Sequence, residues 1–134
     1  MRILCIDVGD KNIGAAISDK DEKISAPLGI IKNDGEVAEK LKEVIDKYKI
    51  RKIVVGVPYT LKGEVGSQAK KVFNFVDRVV KKLGLEVDYF DERYTTKALL
   101  NNSGKVPGYG RIKDIDKFSA GLILDSYLKR NSEQ

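Results

Sequence analysis

The segment Arg2-Ile3-Leu4-Cys5-Ile6-Asp7-Val8-Gly9-Asp10-Lys11-Asn12-Ile13-Gly14-Ala15-Ala16-Ile17-Ser18 carries two apolar runs separated by a polar turn with a glycine in it. An unbroken short apolar run reads as a strand buried on both faces, and the first run delivers a carboxylate, Asp7, at its carboxyl end. Gly9 and Gly14 allow the backbone to turn tightly or to approach a ligand closely. Two readings stay open from this segment alone. Asp7 either precedes a hairpin turn made by Gly9 and Asp10, or it presents a carboxylate to a phosphate or a metal ion.

Outward from this hairpin the chain alternates between the two hydrophobic periods. Arg2 to Val8 and Ile13 to Ser18 are predicted strands. Ile24 to Ile31 is a third, and its Pro27 suits a sheet edge because it has no N–H to offer a neighbour. Asn33 or Asp34 is placed to cap a helix in which Val37, Leu41, Val44, Ile45 and Tyr48 recur at helical spacing as far as about Lys49. Lys52 to Val57 predicts a buried strand that stops at Gly56-Val57-Pro58, followed by a loop from Tyr59 to Gly66. From Ser67 a second helix sets Ala69, Val72, Phe73, Val76, Val79, Val80 and Leu83 on one stripe, with Gly84 as its left-handed stop. Leu85 to Phe90 is the fifth strand. Thr95 or Thr96 then caps a short helix to Leu100, and Gly104, Pro107, Gly108 and Gly110 predict a mobile loop from Asn101 to Lys113. A last helix runs from about Asp114 to Lys129. This order predicts an α/β fold: a mixed five-stranded sheet, three antiparallel strands and then two parallel ones, covered by helices.

A length of 134 residues suits one domain over 1–134. No apolar run approaches the roughly 20 residues that cross a bilayer, and the four apolar residues before Asp7 are too few for a secretory signal, so a cytoplasmic protein that does not enter a membrane is expected. The single cysteine, Cys5, excludes an intramolecular disulfide and a cysteine-rich zinc site and reads as a core residue. Histidine is absent altogether, which removes Ser-His-Asp and Cys-His catalysis and helical histidine zinc sites. The net charge of +5 is unevenly spread, with 12 Lys and Arg against 4 Asp and Glu between Lys40 and Lys82. Most of those lysines belong to the solvated faces of two helices. Arg93 to Lys113 is free of acids, and basic surface beside isolated acids points to a polyanionic substrate.

Three acidic positions fall where strands or helices end: Asp7 after the first strand, Asp91-Glu92 after the fifth, and Asp116 in the first turn of the last helix. In α/β sheets, ligands gather outside the carboxyl ends of the parallel strands. Asp116 shares a helical row with Ala120, Ile123, Leu124 and Tyr127, which places it on the buried face of its helix. Taken singly, Asp114 and Asp116 suit the helix dipole, and Asp91-Glu92-Arg93 suits a surface ion pair. Taken together, converging carboxylates without histidine are hard oxygen donors suited to Mg²⁺ or Mn²⁺. Two such ions roughly 4 Å apart activate water and stabilise the leaving oxygen in phosphodiester hydrolysis. Arg93, Arg111 and Lys113 are then candidates to hold flanking phosphates.

Ile6-Asp7-Val8-Gly9 with Lys11 and Ile13-Gly14, Val54-Val55-Gly56-Val57-Pro58, Asp91-Glu92-Arg93-Tyr94-Thr95-Thr96, and Asp116-Lys117-Phe118-Ser119-Ala120 ahead of Ile123-Leu124 resemble the YqgF family, also described as Holliday-junction-resolvase-like. The match spans essentially the whole chain, and Asp-Glu-Arg-x-Thr-Thr is its most diagnostic element. The resemblance implies an RNase H-like fold and a metal-dependent nuclease. Its implied role is maturation of the precursor of 16S ribosomal RNA, and the older reading of the family is a resolvase of DNA junctions. It also implies Asp7, Glu92 and Asp116 as the catalytic, metal-binding set. Lys11 joins Arg93, Arg111 and Lys113 as a nucleic-acid contact, and the expected partner is structured RNA, pre-16S rRNA first, or branched DNA. The family usually has Thr-Lys-Arg where this chain has Asp10-Lys11-Asn12. A nuclease-like module that grips nucleic acid without cutting is the main alternative. An ATP-handling fold, suggested by Asp7-x-Gly9 with Gly14, lacks a second phosphate loop. Monomer and homodimer are both open.

Overall fold

The structure, a computed structural model, describes residues 1–95, 105–106, 110–111 and 115–132, with residues 105, 106, 110, 111 and 115–118 described by their backbone alone. The central feature is a sheet of β1 (Arg2–Val8), β2 (Asn12–Ser18), β3 (Ser25–Lys32), β4 (Ile50–Val57) and β5 (Glu86–Asp91), in the order β3-β2-β1-β4-β5. The β1–β2 and β2–β3 pairs are antiparallel, and β1–β4 and β4–β5 are parallel, as the sequence predicts. Pro27 does lie on an edge strand, since β3 pairs only with β2, and the ladder is irregular beside it. The edge tolerates a residue that has no donor.

Strand alternation divides the core between two faces. Leu4, Ile6, Ile53 and Val55 point to one face. There they pack with Val37 and Leu41 of α1 (Val37–Tyr48) and Val72 and Phe75 of α2 (Ser67–Phe75). Ile3, Cys5 and Val54 point to the other face, against Ala120, Ile123, Leu124 and Tyr127 of α3 (Ile115–Ser132). Ala120, Ile123, Leu124 and Tyr127 of the predicted row on the last helix are therefore buried, and Cys5 is a fully buried core residue.

Three local expectations are corrected. Asp34 does not cap α1: its carboxylate accepts the N–H of Glu36, the residue just before the helix, at 2.9 Å, and Asn33 faces the β1–β2 loop. The second helix is α-helical only to Phe75. It continues as a π-turn, Val76–Val80, and a 3₁₀ turn, Lys81–Leu83, before Gly84 ends it in the left-handed conformation. Within the expected loop, β6 (Lys105–Val106) and β7 (Gly110–Arg111) pair antiparallel. The short helix expected to run to Leu100 lies outside the described residues.

Helix α3 crosses its face of the sheet and is pinned at both borders. On the edge side, Ser25 Oγ donates to the Gly121 carbonyl at 3.3 Å and to the Asp125 carboxylate. On the parallel side, Lys52 Nζ donates to the Tyr127 hydroxyl at 2.8 Å, which itself donates to Asp88 Oδ2 at 2.8 Å. The hydrogen bond to Tyr127 raises the Lys52 pKa above its usual value despite partial desolvation. Tyr127 meets β4 at Lys52 and Ile123 meets it at Gly56, so α3 runs antiparallel to β4. Its first turn is thereby carried toward the carboxyl ends of the parallel strands.

Candidate active site

The first carboxylate is placed by strand alternation. Asp7 follows Ile3 and Cys5 onto the α3 face, beyond the last β1–β4 pair, Ile6 opposite Val55. Beside it the chain must reverse within Gly9-Asp10-Lys11. The Gly9 N–H donates to the Asn12 carbonyl at 2.9 Å, and a Cβ on Gly9 would stand 2.7 Å from that oxygen. Gly9 is therefore required by close backbone approach. Asn33 holds the turn from outside: its Nδ2 donates to the Gly9 carbonyl at 2.9 Å and its N–H to the Lys11 carbonyl at 2.8 Å. Sequence reading missed this role, although the antiparallel register, with Asn12 opposite Lys32, already sets Asn33 beside Lys11.

The second carboxylate is placed by a turn. Asp91 closes β5 opposite Val57, and residues Glu92–Tyr94 make one 3₁₀ turn. The Asp91 carboxylate caps that turn by accepting the Arg93 N–H at 2.9 Å, and it takes Arg93 Nε and Nη2 at 3.0 and 2.6 Å. Burial pushes the Asp91 carboxyl up, but its side-chain and backbone hydrogen bonds from Arg93 outweigh this and hold it below the usual value. Thr95 Oγ1 donates to the Glu92 carbonyl at 2.7 Å and closes the turn from the other end. The Asp-Glu-Arg-x-Thr motif is thus a folded unit whose second residue is aimed inward. Glu92 is 9% exposed, and its side chain turns back over Gly56 on β4, where a Cβ would stand 2.9 Å from Glu92 Oε1 and 2.7 Å from Ile123 Cδ1.

Asp7, Glu92 and Lys11 consequently line one cavity of about 360 Å³ at the carboxyl end of the sheet, together with Asp10, Pro58 and Gln68. Asp116 stands in the first turn of α3, two turns ahead of Ile123, and is described by its backbone alone. Among the described residues no three His, Cys, Asp or Glu side chains stand close enough to hold a metal. The two acids in the cavity are oxygen donors, the chemistry a hard divalent ion takes. Of the predicted phosphate contacts, Arg93 is engaged by Asp91 and lies against Tyr59, Tyr94 and Gly63. The backbone of Arg111 is in β7, and Lys113 lies outside the described residues.

Sequence comparison matches residues 1–130 to RuvX, described as a Holliday junction resolvase. The chain belongs to the RuvX family. A relative from a Sulfurihydrogenibium species, named "Putative pre-16S rRNA nuclease", is 42% identical over 98% of this chain and 92% of its own. One of the same name from Caldanaerobacter subterraneus is 38% identical over 96% of each. Among solved structures, Thermus thermophilus RuvC in complex with a Holliday junction superposes with a TM-score of 0.63 at 14% identity, covering 98% of this chain and 96% of that one. The fowlpox virus Holliday junction resolvase gives 0.53 at 15% identity over 97% and 99%. The described residues of this RuvX chain therefore have the RNase H-like fold of these resolvases. No helix among its described residues is long and apolar enough to cross a membrane.

Proposed function

We propose that this protein is a metal-dependent endonuclease that hydrolyses phosphodiester bonds in structured nucleic acid, with the precursor of 16S rRNA as its substrate. The observation that carries the reading is the convergence of Asp7 and Glu92, from opposite ends of the sheet's chain order, in one cavity beside a lysine. The names of the relatives supply the choice of RNA. Asp7, Glu92 and Asp116 would hold the ion, Mg²⁺ or Mn²⁺, by their carboxylate oxygens. When bound, such ions activate water for attack and stabilise the departing oxygen. The remaining work belongs to the chain's own groups. Lys11 at the cavity rim, with Arg93, Arg111 and Lys113, holds phosphates flanking the reacting one and fixes the strand without reading its sequence. The Asp91–Arg93 pair and the Thr95 bond hold the Glu92 turn rigid before substrate arrives.

The test is cleavage of pre-16S rRNA and a four-way DNA junction side by side, with and without chelator. Asp7→Asn and Asp116→Asn should abolish divalent-dependent cleavage while folding and binding persist, and undiminished cleavage by both variants sinks the mechanism. The family description makes the junction the second candidate substrate, and cutting of the junction alone would select it.

A further inference from the structure

The Asp10 turn separates the candidate active site from a second cavity of about 420 Å³, lined by Val8, Gly9 and Asp10 on one side and by α2 and its π-turn on the other. The wall on α2 is a row of polar side chains, Gln68, Lys71, Asn74 and Arg78, each of which lines the cavity. Gln68, Lys71 and Asn74 recur every three residues on one face of α2, and Arg78 continues the row on the π-turn, lining the same cavity. Gln68 lines both cavities, so the row starts at the catalytic pocket and leads away from it. It carries two cations and two neutral amide side chains, a composition that suits phosphate oxygens. Among the described residues the cavity's one acidic side chain is Asp10, whose Oδ2 lies 3.3 Å from Lys71 Nζ, with both side chains more than half exposed. An exposed pair of this kind is weak and readily exchanged.

We propose that this second cavity and the Gln68, Lys71, Asn74 and Arg78 row seat the substrate's phosphodiester backbone beyond the cleavage point, and that Asp10 restrains the seat by competing with phosphate for Lys71. The proposal rests on the nuclease reading above and adds to it the path of the strand. Lys71 and Arg78 neutralise backbone phosphates, Gln68 and Asn74 donate to their oxygens, and a phosphate that takes Lys71 releases the Asp10 turn beside the acids.

Fluorescence anisotropy of the full chain in chelator, titrated against salt with a labelled single-stranded RNA and a labelled four-way DNA junction, tests this without reading cleavage. Lys71→Ala and Arg78→Gln are each expected to weaken binding and to lower the slope of log affinity against log salt by about 0.9 on the DNA junction and about 0.7 on the single-stranded RNA. Asp10→Asn is expected to tighten binding, and that gain should vanish when Lys71→Ala is combined with it. Lys20→Ala, in the β2–β3 connection, is the control. Loss on both ligands marks a seat for the shared phosphodiester chemistry, and loss on one marks a seat for that nucleic acid. Lys71→Ala and Arg78→Gln behaving like the Lys20→Ala control would reject the seat, while divalent-dependent cleavage by the same preparations would leave the nuclease reading standing. Wild-type protein that binds neither ligand rejects the seat as well, and the nuclease reading then stands or falls on divalent-dependent cleavage.

Discussion

Gly56 leaves a gap that two side chains from other elements fill: Glu92 from the turn after β5 and Ile123 from α3. Gly56→Ala would put a methyl group 2.7 Å from Ile123 Cδ1 and 2.9 Å from Glu92 Oε1, inside van der Waals contact. Overpacking of this kind costs about 1–3 kcal/mol. A lowered urea midpoint is expected, together with a weakened divalent titration because Glu92 is displaced; an unchanged divalent affinity would show that Glu92 does not depend on that gap. Asp91 gives a second prediction at this scale. Its folded pKa is depressed, so its pairing with Arg93 adds stability above the unfolded value of about 3.9, and this is lost as pH falls through the folded value. Asp91→Asn should therefore be less stable than wild type at pH 7 in urea titrations, and the gap should close in acid below about pH 4. A gap that persists unchanged in acid would mean the carboxylate charge is not its source.

At the scale of elements, the position of α3 depends on contacts at two borders of the sheet, and the Lys52–Tyr127–Asp88 chain is the one on the parallel side. Tyr127→Phe removes the hydroxyl that joins an ammonium to a carboxylate, a loss of about 2 kcal/mol for hydrogen bonds to charged groups. Faster amide exchange throughout α3 with the sheet protected is the expected outcome, and uniform exchange change across the molecule would argue against a local anchor. The same element shows what a sequence discloses. The row Ala120, Ile123, Leu124 and Tyr127 is legible because burial follows the helical period, and the strands are legible because β-branched runs end at Gly and Pro. The π-turn at Val76–Val80 is not legible, since Val76, Val79, Val80 and Leu83 all pack on the core there, as the α-helical stripe read from sequence already has them. Asn33 and Gly56 act across strands, so their roles emerge only from register. Asp7 and Glu92 could be brought to one end of the sheet from sequence, and the fold adds the cavity they line and the Gly56 gap that receives Glu92.

For the whole molecule, one chain offers one Asp7–Glu92 cavity among its described residues, and this number limits what the protein does to different substrates. Hydrolysis of one bond in a precursor RNA needs one such site. Resolution of a four-way junction needs two cuts on opposed strands, hence two copies arranged by symmetry. A plasmid that extrudes a cruciform separates these cases: a single cut gives an open circle, and paired cuts within the lifetime of one complex give a linear molecule. If a chain acts through one site, open circles accumulate wherever sedimentation shows monomer, and linear product rises only in proportion to dimer as protein concentration is raised. Linear product at concentrations where only monomer sediments would overturn that dependence, because one cavity would then have to cut twice without releasing its substrate. The salt dependence must be held fixed across the series, since the surplus of cations that attracts either nucleic acid is screened over about 10 Å at 0.1 M salt.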